Sequence, residues 1–123
     1  MAFTADPDFK CYSVPDERSA AFTAMGMTLE DHNPVAVICT SGSAAMNFYP
    51  AVAEAFYQKL PLIAITADRP LELIDQGVGQ TVRQQGVYGE HVVAEANLLR
   101  EPGDALTHSY NQRLINQVML ASV

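Results

Sequence analysis

Three polar segments of the sequence, each following an apolar run, could carry chemistry. Glu17 follows the apolar residues 11–14, the turn at residues 40–43 follows residues 35–39, and Arg69 follows a third such run. A carboxylate can donate or accept a proton, a helix start can bind polar ligand atoms, and a guanidinium can grip a carboxylate through two parallel bonds. Because ligands of open α/β sheets sit beyond the carboxyl ends of the strands, we expect the three segments to meet in one site.

Each of these segments also has a purely structural explanation. Acidic residues such as Glu17 are favoured in the first helical turn by the helix dipole. Arg69 could pair with Asp68 or Glu72 on the surface. The function of these residues therefore has to be argued from their combination.

The turn at residues 40–43 has the strand-turn-helix setting of a nucleophile elbow. The pattern Gly-x-Ser-x-Gly is not met around Ser41 or Ser43, however, and no persuasive His–Asp pair completes a serine hydrolase. On composition alone we favour helix N-capping by one of these serines, with ligand binding at the helix N-terminus as the next interpretation.

Other familiar motifs fail. Gly77 and Gly79 would start a dinucleotide-binding fingerprint, but Val82 stands where its third glycine belongs. No glycine is followed by Lys and Ser or Thr, so a phosphate-binding loop is not predicted. The histidines lack metal-ligand spacing and are predicted to be surface or capping residues. They are His32, His91 and His108.

The composition is that of one globular domain or part of one, with 123 residues, 49% apolar and 17% charged. A net charge of −7 argues against nucleic acid and anionic membranes as partners. We find neither a signal peptide nor a run of about 20 apolar residues that could cross a bilayer, and we expect a cytoplasmic protein. Cys11 and Cys39 are predicted to be buried small hydrophobes.

The elements that must position the polar segments follow a βαβαβ pattern, which predicts an α/β fold with a three-layer, doubly wound, mostly parallel sheet. Strands are expected at residues 11–14, 35–39 and 62–66. Residues 43–59 should be helical, with Pro50 either kinking the helix or starting a fresh turn. Asp16 is expected to cap an earlier helix. That helix has a stripe of small residues: Ala20, Ala21, Ala24 and Thr28.

The regular pattern ends after Pro70. Residues 71–89 show no sustained period, and an irregular segment of that length is usually functional or mobile. A short strand is predicted at residues 91–98 and a helix at residues 104–121. The helix should have one apolar face, made by Leu106, Tyr110, Leu114, Val118 and Ala121.

The combination of segments resembles a known family. The segments are DERSAAF, PVAVICTSGSAAMNFYPAVAEA, PLIAITADRPLELID and GQTVRQ. Together they resemble the pyrimidine-binding domain of thiamine diphosphate enzymes, and within that superfamily the synthases of menaquinone biosynthesis that join 2-oxoglutarate and isochorismate. The resemblance covers roughly residues 9–121.

The resemblance implies a partial thiamine diphosphate-binding fold, with residues 1–123 as a fragment of the N-terminal, pyrimidine-binding domain. The middle and diphosphate-binding domains of the family have no counterpart here, so Mg²⁺ and the diphosphate would be bound by a domain outside this chain. The family assembles its site between subunits, which implies a homodimer or homotetramer and an isolated chain that is inactive.

The resemblance also implies roles for individual residues. Glu17 aligns with the catalytic carboxylate that hydrogen-bonds a ring nitrogen of the aminopyrimidine, which promotes loss of the thiazolium C2 proton. An apolar cleft that raises the pKa of Glu17 would suit this role. Ser41 and Gly42 would line the cofactor through backbone groups. No metal ligand is expected in this chain.

Two further positions match substrate-binding residues of the family. Arg69 would bind a substrate carboxylate, and Gln80 would contact substrate. Gly79 stands where the family often has Asn, which removes one side-chain hydrogen bond.

The implied reaction decarboxylates 2-oxoglutarate and adds the resulting carbanion to isochorismate. The alternative is a non-catalytic interaction or regulatory module that keeps the fold. The joint presence of Glu17, Arg69 and Gln80 argues against that alternative, since a bare scaffold needs none of them.

Overall fold

A computed structural model describes residues 2–100 and 103–122 of the chain. In this part of the chain the helices and strands follow one another in the order α1 (Ala2–Ala5), α2 (Glu17–Asp31), β1 (Val35–Cys39), α3 (Ser43–Asn47), α4 (Tyr49–Gln58), β2 (Leu62–Thr66) and α5 (Ala105–Ala121). A 3-10 turn, Leu71–Leu73, follows β2.

The sheet is built from β1 and β2, which pair in parallel. The register matches Val35 with Leu62 at one end and Cys39 with Thr66 at the other. Helices α3 and α4 form the crossover that a parallel pair requires. The predicted α/β fold with a parallel sheet is confirmed, and within the described residues the sheet is two-stranded.

The core lies between one face of this sheet and helices α2 and α4. Ala21 and Ala24 of α2 are buried there, as predicted from the small-residue stripe. Small side chains let the helix backbone approach its neighbours closely. Phe48, the residue that separates α3 from α4 in the chain, belongs to this core and is fully buried.

Helix boundaries follow the local sequence. Asp16 caps α2, and its Oδ1 accepts the backbone N–H of Ser19 at 2.7 Å. Hydrogen bonding to the side chain and to the backbone N–H of Ser19 lowers the pKa of Asp16. Pro50 lies in the first turn of α4, where its missing N–H costs nothing, so the fresh turn predicted at this proline is confirmed.

Two predicted strands are wrong. Residues 11–14 and 91–98 have no strand structure. A strand is stabilised by hydrogen bonds to a neighbouring strand, and within residues 2–100 and 103–122 β1 and β2 pair only with each other. Cys11 is therefore exposed rather than buried, whereas Cys39 is half-buried and packs against the core.

Helix α5 is confirmed, with Asp104 as its N-cap, but its predicted apolar face is only partly covered, since Leu114 and Val118 are half-buried and the other members are exposed. Leu106 is 80% exposed, and the buried residue of α5 is Asn111. The Asn111 amide accepts the backbone N–H of Leu99 at 2.8 Å and donates to the Leu99 carbonyl at 2.9 Å. These two hydrogen bonds hold α5 to the segment that precedes it.

The second face of the sheet is also open. Ile38 of β1 is 47% exposed and Ile65 of β2 is 36% exposed. The doubly wound pattern predicts helices on both faces; in the described part of the chain, α2 and α4 cover one. None of the helices among the described residues has the length and apolar character needed to span a membrane.

We predict that Phe48→Ala lowers the free energy of unfolding by about 3–5 kcal/mol, because the truncation leaves a cavity in a fully buried site. Urea denaturation followed by circular dichroism measures the change. Leu106→Ala is the matched control and should change the value by less than about 0.5 kcal/mol, because this side chain is largely exposed. Equal effects of the two substitutions would contradict the described core.

Candidate functional site

A cavity of about 330 Å³ lies beyond the carboxyl end of β1. Its lining is polar with a few small apolar groups: Glu17, Thr40, Ser41, Ser43, Ala44, Asn47, Gln80, Thr81 and Val82. Three of the predicted site residues, Glu17, Ser41 and Gln80, are thereby brought together. They come from the start of α2, the β1–α3 turn and the segment after β2.

Glu17 is the first residue of α2 and is half-buried at the cavity wall. The charge of Glu17 also acts on Cys39, the last residue of β1. Burial raises the pKa of the Cys39 thiol to about 11, and the negative charge of Glu17 adds to the effect. The carboxylate therefore lies close to the end of the strand, where the sequence predicted it.

The turn between β1 and α3 is closed by backbone geometry and not by a serine side chain. Gly42 is the N-cap of α3, and no side-chain capping hydrogen bond is made there. The capping role favoured for Ser41 or Ser43 is therefore wrong. Ser41 is only 4% exposed, and no histidine is among the residues that line the described cavity, so the Ser–His pair of a serine hydrolase is not formed there.

Gly42 is required by this turn. Its φ is +91°, and a Cβ placed there would lie 3.0 Å from the Cα of Gln80. The backbones of the two segments therefore touch. The Gly42 N–H and carbonyl are both engaged within the chain, by Gln84 at 2.7 Å and by the N–H of Ala45 at 3.2 Å. Gly42 therefore contributes to the cavity by letting the β1–α3 turn approach the backbone of Gln80 closely.

Arg69 joins the site through Gln80. Its Nη2 donates to Gln80 Oε1 at 3.0 Å, and both side chains are exposed. Asp68 instead accepts the backbone N–H of Arg69 at 2.7 Å, and Glu72 pairs with Arg100 at 3.8 Å. Surface pairing of the Arg69 guanidinium with these carboxylates is thus not what the described residues show.

Gln84 is the residue that sequence reasoning missed. It is buried, although the flanking Arg83 and Gln85 are exposed. Its amide links Gly42 to the end of β2, with Nε2 donating to the Ala67 carbonyl at 2.8 Å. The segment shows no periodic pattern, so nothing in the local sequence distinguishes this glutamine from the next one.

Residues 71–89 are irregular apart from the 3-10 turn, as predicted, and side chains hold them in place. Arg83 pairs with Asp75 at 2.7 Å. The Tyr88 hydroxyl donates to the Ala45 carbonyl at 2.8 Å, and burial raises the pKa of this tyrosine. These contacts anchor the segment that carries Gln80.

The histidines divide into two groups. His32 closes α2 in a left-handed conformation and His108 is exposed on α5, which confirms their predicted capping and surface roles. His91 was predicted to be similar, which is wrong. Its Nδ1 lies 2.9 Å from the Tyr49 hydroxyl and its Nε2 lies 3.3 Å from the Tyr57 hydroxyl, within an aromatic cluster.

The chemistry of the cavity lining favours some ligand groups over others: neutral heteroaromatic groups over charged diphosphates. A carboxylate, hydroxyls and amides can hydrogen-bond the ring nitrogens of a neutral heteroaromatic group. The lining contains no cation to neutralise a diphosphate, and the described residues include no His, Cys, Asp and Glu cluster that could hold a metal ion. The lining thus suits a neutral heteroaromatic group better than a diphosphate group.

Comparison with known proteins gives a consistent result. Residues 1–87 match the family described as thiamine pyrophosphate enzyme, N-terminal TPP binding domain. The chain is 55% identical over 101 residues to a protein of Flavobacterium johnsoniae and 47% identical over 122 residues to one of Cytophaga hutchinsonii. Both relatives are named 2-succinyl-5-enolpyruvyl-6-hydroxy-3-cyclohexene-1-carboxylate synthase.

These matches cover most of this chain and a small part of the relatives. The first includes 82% of this chain and 18% of the Flavobacterium protein, and the second includes 99% and 22% respectively. The chain therefore spans about a fifth of the length of the curated relatives it matches.

We predict that Glu17→Gln makes Cys39 more reactive toward iodoacetamide in mildly alkaline buffer. Removing the carboxylate removes the repulsion of the thiolate, so the pKa of Cys39 falls and the thiolate fraction rises. The effect should be modest because burial is the larger cause. Mass spectrometry of the alkylated peptides measures it, with exposed Cys11 as the internal reference. An unchanged Cys39-to-Cys11 ratio would contradict the placement of Glu17.

Proposed function

The chain belongs to the thiamine pyrophosphate (thiamine diphosphate) enzymes as an N-terminal cofactor-binding domain, and on this premise we propose that it is the pyrimidine-binding part of a synthase that forms a carbon–carbon bond. In the proposed reaction 2-oxoglutarate loses CO2, and the remainder is added to isochorismate in menaquinone biosynthesis. The shared name of relatives that are 45–55% identical supports this choice within the family.

The observation that carries the proposal is the common cavity of Glu17, Ser41 and Gln80 at the end of β1. Glu17 would hold the aminopyrimidine through a hydrogen bond between its carboxyl group and a ring nitrogen. Ser41 would line the same end of the cofactor, and Gly42 would contribute by letting the two backbones touch. When bound, thiamine diphosphate supplies the carbanion chemistry that protein side chains lack.

Glu17 is the catalytic residue of this proposal. Its carboxyl group would keep a proton at the cofactor's ring nitrogen, which a carboxylate fixed at a helix start can do without moving. Two apolar side chains in the same lining, Ala44 and Val82, offer a surface against which a planar ring can pack. A non-catalytic module would not need a carboxylate in this cavity.

Arg69 and Gln80 would bind substrate. Both proposed substrates are dianions and the chain has a net charge of −7, so a fixed cation is needed to attract them. The guanidinium donates one hydrogen bond to Gln80 and has further N–H groups that can reach a carboxylate. Gly79 leaves open space beside this pair, since nothing lies within 4 Å of where its Cβ would be.

The rest of the active site belongs to parts of the protein outside this chain. We propose that a diphosphate-binding domain, with its Mg²⁺, is contributed by a partner subunit, in a homodimer or homotetramer. The residues that line the described cavity include no cationic side chain, which supports placing the diphosphate site in a different domain. A cytoplasmic location and inactivity of the isolated chain are part of the same proposal.

We predict that Glu17→Gln in the full-length protein lowers the rate of isochorismate-dependent CO2 release from 2-oxoglutarate by about 10²–10⁴-fold, because an amide cannot exchange the proton. The affinities for thiamine diphosphate and both substrates should change much less. Glu30→Gln, at the exposed end of the same helix, is the matched control and should be as active as wild type. Equal rates for the two variants would remove Glu17 from catalysis, and an inactive wild type would favour the non-catalytic module.

We further predict that Arg69→Ala raises KM for 2-oxoglutarate, isochorismate or both by about 10–100-fold, the usual loss when a charge-assisted hydrogen bond is removed. The affinity for thiamine diphosphate, measured by calorimetry, should stay near the wild-type value. Arg113→Ala, on α5, serves as the control. Unchanged KM values for both substrates would refute the substrate-binding role of Arg69.

A further inference from the structure

We propose that Gln84 is a positioning residue that sets the shape of the cofactor cavity, because its buried amide ties the Ser41–Gly42 turn and the end of β2 to the segment that carries Gln80. The inference rests on the proposed function, since the cavity is the one assigned to the aminopyrimidine. Gln84 itself does not line the cavity and is not a catalytic residue.

The contacts of Gln84 use both ends of its amide. Oε1 accepts the N–H of Gly42 at 2.7 Å, and Nε2 donates to the carbonyl of Ala67 at 2.8 Å and to Thr66 Oγ1 at 3.4 Å. Gln84 is 7% exposed; its bond to Gly42 is buried, and its bonds to Ala67 and Thr66 are partly buried. One amide therefore joins three segments that are far apart in the sequence.

The hydrogen bond between Gly42 and Gln84 connects Gln84 to the wall of the cavity. The Gly42 backbone also approaches the backbone of Gln80 so closely that a Cβ on Gly42 would lie 3.0 Å from the Cα of Gln80. Ser41 and Gln80 both line the cavity, and Gln80 in turn holds Arg69. A displacement of the Gln84 amide would thus move two lining residues and the proposed substrate-binding pair together.

The chemistry of the amide makes the role specific. Gly42 needs an acceptor and Ala67 needs a donor, and a glutamine supplies both in a fixed arrangement. A buried backbone N–H or carbonyl that loses its partner is costly, so the turn would move to find another one. Misplacing positioned groups by about 1 Å can cost on the order of 10²-fold in function.

The test uses the full-length protein with Gln84→Met and Gln84→Glu. Gln84→Met keeps the approximate size of the side chain and removes all three hydrogen bonds. Gln84→Glu keeps the acceptor for Gly42 and places a second oxygen against the Ala67 carbonyl when ionised, but the protonated carboxyl group can donate again. The matched controls are Gln85→Met and Gln85→Glu, since Gln85 is the adjacent, exposed glutamine.

Calorimetric titration with thiamine diphosphate and Mg²⁺ measures the dissociation constant across a pH series. We expect Gln84→Met to weaken binding about 10²-fold at every pH. Gln84→Glu should be equally weak in alkaline buffer and should approach wild type as the pH falls and the buried carboxyl group takes up a proton. Neither Gln85 variant should differ from wild type by more than a few-fold. This pattern would establish the positioning role, since a side chain that only filled space would not restore binding on protonation.

Other outcomes overturn the inference. Equal affinities of the Gln84 and Gln85 variants would do so, and so would a weak Gln84→Glu variant without recovery at low pH. If wild type fails to bind thiamine diphosphate, the proposed function is what fails. Hydrogen exchange of the Gly42 amide then decides the positioning role alone: faster exchange in Gln84→Met than in Gln85→Met supports it, and equal exchange overturns it.

Discussion

The in-register parallel pairing of β1 and β2 is the constraint on which the rest of this structure depends. Because Cys39 lies opposite Thr66, the two strands end side by side and the chain leaves both at the same edge. The polar residues that follow the two strands must then share a small volume. A crossover through α3 and α4 makes this arrangement possible, and the small residues of α2 allow a second helix start to reach the same edge.

The parts that could be predicted from the sequence are those fixed by local pattern. Asp16 as a cap, Pro50 as a helix start and the apolar strands 35–39 and 62–66 depend on near neighbours, so a single chain reveals them. The meeting of Glu17 with the 40–43 turn was predicted from the rule that ligand-binding residues gather at the strand ends of an open α/β sheet, although no strand precedes Glu17 in the described residues. Gln80 was singled out by the family resemblance alone. The chemical roles of these residues came from the family resemblance and stay proposals.

The parts that were missed depend on contacts between distant residues. Gln84 and Gln85 are the same residue type, and only the folded loop decides that one is buried. Residues 11–14 look like a strand by composition, but strand formation needs a neighbour, and the described chain offers none. His91 was misjudged for the same reason, because its partners Tyr49 and Tyr57 come from a helix far earlier in the sequence.

The setting of His91 attaches the loop to α4 whichever neutral tautomer the imidazole adopts. A tyrosine hydroxyl can either donate or accept a hydrogen bond, so the hydroxyls of Tyr49 and Tyr57 can satisfy Nδ1 and Nε2 in both tautomers. The segment that carries Gln80 and Gln84 is thus followed by an attachment to α4 that does not depend on which ring nitrogen carries the hydrogen.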